Sequence, residues 1–268
     1  MSPVEITSTA NPRIKAVVGL RERRDREARG LALVDGAREI GRAIAAGVEI
    51  VELYVAPELA TSREAGAALS AARAAGVEVT TVSPTVFARL AFGDRSDGLL
   101  ATIRTPSISL DRLALPPVPL VAVVEGIEKP GNLGAILRSA DGAGVDALIA
   151  ADPRTDLFNP NAIRASLGTI FSVPIASATS AKTISWLTDH GISIVVARVD
   201  GSVPYDQVDY RGPLAIVLGG EAHGLAGTWS GPGIHAVSLP MLGIADSLNV
   251  SAAAAILLYE ARRQRFGT

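Results

Sequence analysis

Apolar runs and amphipathic stretches alternate along the chain. In the first part, each short apolar run is followed by residues with helical spacing that end at glycine or begin at Ser-Pro. This pattern predicts strands at 31–34, 51–55, 77–82 and 99–103, and helices at 37–46, 61–75 and 85–91. Together these elements predict a small α/β domain over residues 1–105.

Prolines then interrupt the pattern. Pro106, Pro116 and Pro117 lie close together, and no helical period is sustained between them. Prolines stiffen a chain and remove backbone donors, so we predict a linker over residues 106–117.

The remaining residues, 118–268, repeat the order strand then helix. Predicted strands lie at 120–124, 147–150, 192–197, 214–218 and 235–239, and predicted helices at 133–143, 162–167, 181–189 and 250–265. Apolar strands separated by helices are typical of a mainly parallel sheet covered on both faces. In such sheets ligands bind beyond the carboxyl ends of the strands.

Composition narrows the class of protein. Of 268 residues, 48% are hydrophobic, which is ample for a buried core, and the absence of cysteine excludes disulfides, thiolate metal sites and cysteine nucleophiles. His190, His223 and His235 are too scattered to predict a metal site. No apolar run reaches the length of a membrane helix and the amino terminus lacks a signal-peptide pattern, so we expect a cytoplasmic protein without a membrane partner.

The net charge of −2 does not by itself indicate a nucleic-acid-binding protein. Residues 14–29, however, are dense in arginine and predict a single helix with a solvated basic face. That face is either an ordinary surface or a contact for a phosphate backbone. The scarcity of lysine favours a GC-rich coding sequence over selection for phosphate recognition.

Three glycine-containing loops each follow a predicted strand, at 125–134, 219–225 and 239–250. Glycine permits positive φ and close approach of a ligand to the backbone. Loops at neighbouring strand ends would form one pocket. Taken alone, the first loop with Asp152 also suggests a nicotinamide site, although the spacing of Gly131 and Gly134 departs from that fingerprint.

Together the loops resemble the three signature motifs of the SpoU/TrmH family of RNA ribose 2′-O-methyltransferases. The resemblance covers residues 118–265, and 11–15 with 33–38 are similar to the ribosomal-protein-like substrate-binding domain of that family. The motifs read Asn132-Leu-Gly-Ala-Ile-Leu-Arg138-Ser-Ala, Leu218-Gly-Gly-Glu221-Ala-His-Gly-Leu225 and Leu239-Pro-Met followed by Ser247-Leu-Asn-Val-Ser251.

The resemblance implies an α/β fold whose carboxyl-terminal domain forms a deep trefoil knot. It also implies a cofactor, S-adenosylmethionine, bound in a bent shape in the knot. The partners implied are structured RNA and a second copy of the chain, with the active site near the interface of the homodimer.

The resemblance implies three groups of site residues, and the arginine-rich segment adds Arg23 to the third group. The catalytic group is Asn132, Arg138, Glu221 and Asn249. The cofactor group is Ala197, Leu218, Gly219, Gly220, Leu239, Met241, Ser247 and Leu248. The RNA-binding group is Arg164, which matches a phosphate-binding position of relatives, with Arg13, Lys15, Arg23 and Arg38 of the first domain.

The expected activity is S-adenosylmethionine-dependent methylation of a ribose 2′-hydroxyl, with 23S ribosomal RNA as the first substrate class and transfer RNA as the alternative. A role in antibiotic self-resistance stays open beside a housekeeping role. From other classes, a nicotinamide-dependent oxidoreductase and a non-catalytic RNA-binding module also stay open.

Overall fold

The computed structural model describes residues 5–91, 97–220 and 225–267. Contacts divide the chain into two compact units. The first contains Met1–Pro106 and Asp156–Ser172, and the second contains Ser107–Thr155 and Val173–Thr268.

The first unit is an α/β structure built on a four-stranded sheet in the order β1-β4-β2-β3. Strand β4 pairs antiparallel with β1 and β2, and β2 pairs parallel with β3. Its elements are α1 (Pro12–Gly19), α2 (Arg23–Arg29), β1 (Leu31–Asp35), α3 (Ala37–Ala45), β2 (Ile50–Val55), α4 (Arg63–Ala74), β3 (Val79–Thr81), α5 (Pro84–Leu90), β4 (Leu99–Arg104) and, from the later segment, α7 (Pro160–Ala165).

The prediction of one helix over 14–29 is wrong, because α1 ends at Gly19 and α2 begins at Arg23. Leu20 is buried between them, and its carbonyl accepts a hydrogen bond from Arg26 Nη1 at 2.9 Å. Arg26 is only 4% exposed and also donates to Asp156 Oδ2 at 2.7 Å. The expected solvated basic face is therefore wrong at Arg26. Its buried guanidinium connects α2 to Leu20 and to Asp156 instead.

Residues 156–172 belong to the first unit by their contacts, whereas the sequence places the whole of 118–268 in the second domain. Arg164 lies 3.5 Å from Asp35, and Arg42 donates to the carbonyl of Leu167 at 2.8 Å. These bonds fix the segment to β1 and α3.

The second unit confirms the predicted α/β class and the parallel sheet. All pairings of its seven strands are parallel, in the order β7-β6-β5-β10-β8-β11-β9. Its elements are β5 (Leu120–Glu125), α6 (Pro130–Ala143), β6 (Ala147–Ala151), β7 (Ile175–Ala178), α8 (Ser180–Asp189), β8 (Ser193–Ala197), β9 (Val203–Pro204), β10 (Leu214–Leu218), β11 (Ile234–Ser238) and α9 (Val250–Phe266). The trefoil knot stays a prediction.

The proline-rich stretch after residue 106 packs on the second unit. Leu110, Leu113 and Leu115 lie against its hydrophobic core, and the carbonyl of Ile108 accepts a hydrogen bond from Ser177 N at 2.7 Å. Strand β5 is buried along its whole length, so the central strands supply a rigid base for the loops that follow them.

Candidate functional site

The carboxyl ends of β8, β10 and β11 open onto one cavity. Because β8 pairs in parallel with both β10 and β11, the loops after these strands lie side by side. The cavity has a volume of about 680 Å³, within the range of small-molecule sites. We call it the strand-end pocket. Its lining is Ala197, Arg198, Val199, Asp200, Leu218, Gly219, Gly220, Leu225, Leu239, Met241, Asp246, Ser247, Leu248, Asn249, Val250 and Ala253.

All eight residues predicted to contact a cofactor lie in this lining. They come from the ends of three strands and from the loop before α9. The sequence therefore predicted which residues the fold brings together at this edge of the sheet.

Close backbone packing shapes two sides of the pocket. A Cβ at Gly201 would lie 2.4 Å from the carbonyl carbon of Val237, so the loop after β8 rests directly on β11. A Cβ at Gly220 would lie 3.0 Å from the carbonyl oxygen of Gly126. Glycine allows both loops to approach their neighbouring strands closely.

Charged side chains line part of the pocket. Arg198 donates to Asp200 through Nε at 2.8 Å and through Nη2 at 2.9 Å. These hydrogen bonds lower the pKa of the Asp200 carboxyl and raise the pKa of Arg198, so both are charged at neutral pH. Together with Asp246, they give the lining two carboxylates and one guanidinium.

Sequence reasoning missed Arg198, Asp200 and Asp246. The available signal was positional: Arg198 and Asp200 directly follow β8, at the sheet edge where ligands bind. Asp246 lies within the third glycine loop, next to Ser247.

Two predicted catalytic asparagines meet beside the pocket. Asn249 Nδ2 lies 3.4 Å from Asn132 Oδ1, at the long end of hydrogen-bond distances. Asn249 Oδ1 accepts from Ser251 N at 2.9 Å and thereby caps α9. Within the described ranges, the buried Asn132 Nδ2 has no hydrogen-bond partner. A buried donor without an acceptor is energetically costly, so Asn132 is a candidate for hydrogen bonding to a ligand group or an ordered water.

Of the other two predicted catalytic residues, Arg138 does not join this pair. Arg138 is exposed on α6, and its side chain does not line the strand-end pocket. It follows Asn132 by six positions, which places it roughly 120° around the helix and about 9 Å along it. Glu221 lies outside the described residues.

The predicted RNA-binding residues occupy different environments. Arg13 forms ion pairs with Glu52 at 2.8 Å and Glu78 at 2.5 Å, and the hydrogen bond to Glu78 raises its pKa. Arg23 pairs with Glu27 at 2.7 Å within α2. Arg38 and Lys15 are exposed, and Arg164 contacts Asp35.

Lys15 also lines a groove of about 590 Å³ in the first unit. We call it the first-unit groove, and its lining is Thr9, Ala10, Lys15, Val18, Gly19 and Arg89. The C-terminal carbonyls of α5 next to it accept from Arg21 Nη2, including Ala91 O at 2.7 Å. Arginine and lysine around this groove give it a positive charge that suits phosphate.

Asp152, which a nicotinamide site would use for ribose, has another structural role. Its Oδ2 accepts from Ser180 N at 2.8 Å, at the start of α8. It does not line the strand-end pocket. This arrangement argues against the oxidoreductase alternative.

The described ranges contain neither a cluster of metal ligands nor a helix that could span a membrane. No three histidine, aspartate or glutamate side chains there converge in a way that could hold a metal ion. None of the helices in that part of the chain combines the length and hydropathy needed to cross a membrane.

Comparisons with known proteins match both units. The profile of the SpoU rRNA Methylase family matches residues 119–259, and that of an MRM3-like substrate binding domain matches residues 11–101. A 23S rRNA (uridine(2479)-2′-O)-methyltransferase from Streptomyces viridochromogenes is 31% identical over 260 residues, covering 94% of this chain and 88% of that protein.

Solved structures of RNA methyltransferases also match this chain over nearly its whole length. The crystal structure of an RNA 2′-O ribose methyltransferase aligns with 98% of this chain and 99% of its own, at 40% identity and a TM-score of 0.85. An AdoMet-bound rRNA methyltransferase from Sinorhizobium meliloti aligns over 97% of both chains, at 28% identity and a TM-score of 0.87. The chain therefore belongs to the SpoU rRNA methylase family.

Proposed function

We propose that this protein transfers a methyl group from S-adenosylmethionine to a ribose 2′-hydroxyl of structured RNA, with 23S ribosomal RNA as the substrate. The observation that supports this most strongly is the strand-end pocket, in which the eight residues assigned to the cofactor lie together. The family relatives named above act on ribosomal RNA or bind AdoMet, which favours the same substrate class and cofactor.

The residues of the pocket suit this cofactor chemically. Leu218, Leu239 and Leu248 offer apolar contact to an adenine ring, and backbone groups at the strand ends offer donors and acceptors to its edge. Asp200 and Asp246 suit the ammonium and sulfonium charges, and Arg198 suits the carboxylate.

When bound, S-adenosylmethionine supplies an activated methyl group on sulfur. The protein has to align the ribose oxygen with that methyl group and to assist loss of the hydroxyl proton. We assign ribose orientation to Asn132 and Asn249, and we assign to Glu221 a supporting role in the same network. The buried Asn132 Nδ2 could donate to a ribose or phosphate oxygen.

Arg138 acts as a cation in this proposal and not as the base. Arginine resists deprotonation, whereas a charged guanidinium can stabilise a developing alkoxide and bind the adjacent phosphate in a bidentate manner. Replacement of Arg138 by alanine should stop methyl transfer while S-adenosylmethionine still binds.

We also propose a homodimer through the second unit. Ile256, Tyr259 and Phe266 are exposed on one side of α9. A Cβ at Gly142, one turn after Arg138 on α6, would lie 2.6 Å from Tyr259 Oη. The apolar stripe therefore adjoins Arg138, so a second copy on this face could bring Arg138 close to an active site.

We assign RNA recognition to the first unit, with Lys15 and Arg89 of the first-unit groove as phosphate contacts. With ribosomal RNA as its substrate, the enzyme is expected to work in the cytoplasm. If the modified nucleotide lies where an antibiotic binds the ribosome, deletion of the gene should change sensitivity to that drug.

Calorimetric titration of the full-length protein tests the proposed cofactor. S-adenosylmethionine should bind with one site per chain, and a nicotinamide dinucleotide should not bind. Ala197→Phe should weaken this binding because the larger side chain fills the pocket, whereas Ala67→Phe on the exposed side of α4 should not. Binding of the nicotinamide dinucleotide alone would refute the proposal.

A further inference from the structure

The end of strand β5 carries a buried carboxylate that none of the three signature motifs explains. Glu125 is only 7% exposed and precedes Gly126. Its Oε1 accepts from Ser180 Oγ at 2.7 Å, and its Oε2 accepts from Ala226 N at 2.7 Å. One side chain therefore connects β5, the start of α8 and the segment that follows the second glycine loop.

The start of the second glycine loop also packs against the end of β5. Strand β10 runs parallel to β5 with Leu218 opposite Val124, so continued register places Gly220 opposite Gly126. A Cβ at Gly220 would lie 3.0 Å from Gly126 O and 3.4 Å from Glu125 O. Gly220 near the start of the loop and Ala226 just after it thus both contact the dipeptide Glu125-Gly126.

This attachment bears directly on the strand-end pocket. Gly219, Gly220 and Leu225 line the pocket, and Ala226 is the next residue after Leu225. A hydrogen bond from a backbone N–H to a buried carboxylate is stronger than a neutral one, and it leaves an unpaired group when broken. The position of Leu225 against a bound ligand therefore depends on Glu125.

We propose that Glu125 is a positioning residue for the strand-end pocket: by accepting from Ala226 N–H, it holds the neighbouring Leu225 in the lining that contacts the cofactor. Glu125 does not line the pocket itself. This inference rests on the proposed function, because it takes S-adenosylmethionine as the ligand of the pocket.

Matched variants separate positioning from general stability. Glu125→Ala removes both hydrogen bonds, whereas Ser180→Ala removes only the one to α8 and leaves the bond to Ala226. Both should lower the melting temperature. Only Glu125→Ala should weaken S-adenosylmethionine binding in calorimetry, by about tenfold or more. Glu125→Gln, with a neutral acceptor, should cause a smaller loss of about two- to fivefold.

Equal affinity of Glu125→Ala and Ser180→Ala for S-adenosylmethionine would overturn the proposal. If Glu125→Ala does not fold, the same comparison between Glu125→Gln and Ser180→Ala decides: a weaker affinity of Glu125→Gln supports positioning, and equal affinities contradict it.

Hydrogen exchange of the ligand-free proteins provides a readout that needs no cofactor. The peptide that contains Ala226 should exchange about tenfold faster or more in Glu125→Ala, and at the wild-type rate in Ser180→Ala. Unchanged exchange in Glu125→Ala would refute the positioning role. If the wild type does not bind S-adenosylmethionine while the exchange result holds, the proposed function fails and the attachment of the loop stands.

Discussion

At the scale of single residues, Asn249 combines two tasks that different atoms perform. Its Oδ1 caps α9 by accepting from Ser251 N, and its Nδ2 faces Asn132 Oδ1. An aspartate at this position could keep the cap but could not donate to Asn132. The two tasks can therefore be separated by substitution.

We predict that Asn249→Asp keeps the melting temperature close to wild type while methyl transfer falls by about a hundredfold or more. Asn249→Ala should lose methyl transfer as well and should also be destabilised by about 1 kcal/mol, because the helix cap is gone. The melting temperature and the rate of methyl transfer of both variants are measured and compared with those of the wild type. Full activity of Asn249→Asp would contradict the role given to Nδ2.

The buried carboxyl of Glu39 should make the stability of the first unit depend on pH. Burial raises the pKa of its carboxyl above the usual 4.5, against the opposing effects of a backbone hydrogen bond and of Arg38 and Arg164, while Asp97 reinforces the rise. The folded state favours the protonated form, so the stabilisation is present below pH 4.5 and is lost as pH rises through the folded-state pKa.

Glu39→Gln should therefore gain melting temperature relative to wild type as the pH rises above 4.5, because only the wild type has to ionise this buried carboxyl. At the acidic end the two proteins should melt together. Glu64→Gln, at an exposed position on α4, serves as the control and should follow wild type throughout. A difference that is constant with pH would show that charge on Glu39 is not its cause.

At this scale the sequence could predict the pocket residues of the signature motifs and Ala197 at the end of β8, but not the charged residues that follow β8. Leu239 and Leu248 carry a family pattern, whereas Arg198 and Asp200 are recognisable only from the position of the β8 end in the sheet. For Arg13 the sequence suggested a role that its surroundings in the fold do not favour. Its charge suggested RNA contact, but its ion pair with the nearly buried Glu52 depends on strand pairing that spacing does not reveal.

At the scale of elements, α1 carries two cations with different surroundings. Arg13 forms ion pairs with Glu52 and Glu78, whereas Lys15 forms none with residues 5–91, 97–220 or 225–267. Glu52 also accepts from Tyr54 and from Thr80 Oγ1, so Arg13 helps to neutralise a buried polar network.

We expect Arg13→Ala to lower the free energy of unfolding by about 1–2 kcal/mol, because Glu52 loses its charged partner. Lys15→Ala should leave stability unchanged but weaken RNA binding and reduce the slope of binding against salt by about one phosphate contact. Denaturant unfolding and RNA titrations at several salt concentrations measure both effects. The assignment is wrong if the two variants exchange these behaviours.

The sequence predicted strands and helices correctly where apolar runs are long. It failed where tertiary contacts determine the secondary structure. Strand β5 was predicted within one residue of its bounds, because it is apolar throughout until Glu125. Strand β7 was missed, since Ile175–Ala178 contains alanine and serine and has little strand propensity of its own. The break between α1 and α2 was also missed, because it depends on burial of Leu20 and Arg26.

At the scale of the whole molecule, the first unit contains a segment from the later part of the chain. Removing residues 1–105 would leave Asp156 without Arg26 and Arg164 without Asp35. Such a truncation would confuse loss of RNA targeting with loss of packing. Point substitutions in the full-length chain, such as Lys15→Ala, test the first unit more cleanly.

The exposed stripe on α9 predicts the oligomeric state. Light scattering should give a mass near twice the 27.6 kDa of one chain. Tyr259→Glu should shift this mass toward the monomer and reduce methyl transfer, because it places a charge on the apolar contact face. Leu59→Glu, an exposed apolar position of the first unit, should stay dimeric. A wild-type monomer that is fully active would contradict the predicted dimer.

We predict that the enzyme methylates a ribose oxygen of RNA and not a base. The direct measurement uses S-adenosylmethionine labelled in the methyl group and unmodified 23S ribosomal RNA, followed by alkaline hydrolysis. A methylated 2′-oxygen cannot attack its own phosphate, so label should be recovered in alkali-resistant dinucleotides, and Arg138→Ala should yield none. Label recovered in mononucleotides, which would indicate base methylation, or no transfer by wild type to any ribosomal or transfer RNA, would contradict the account.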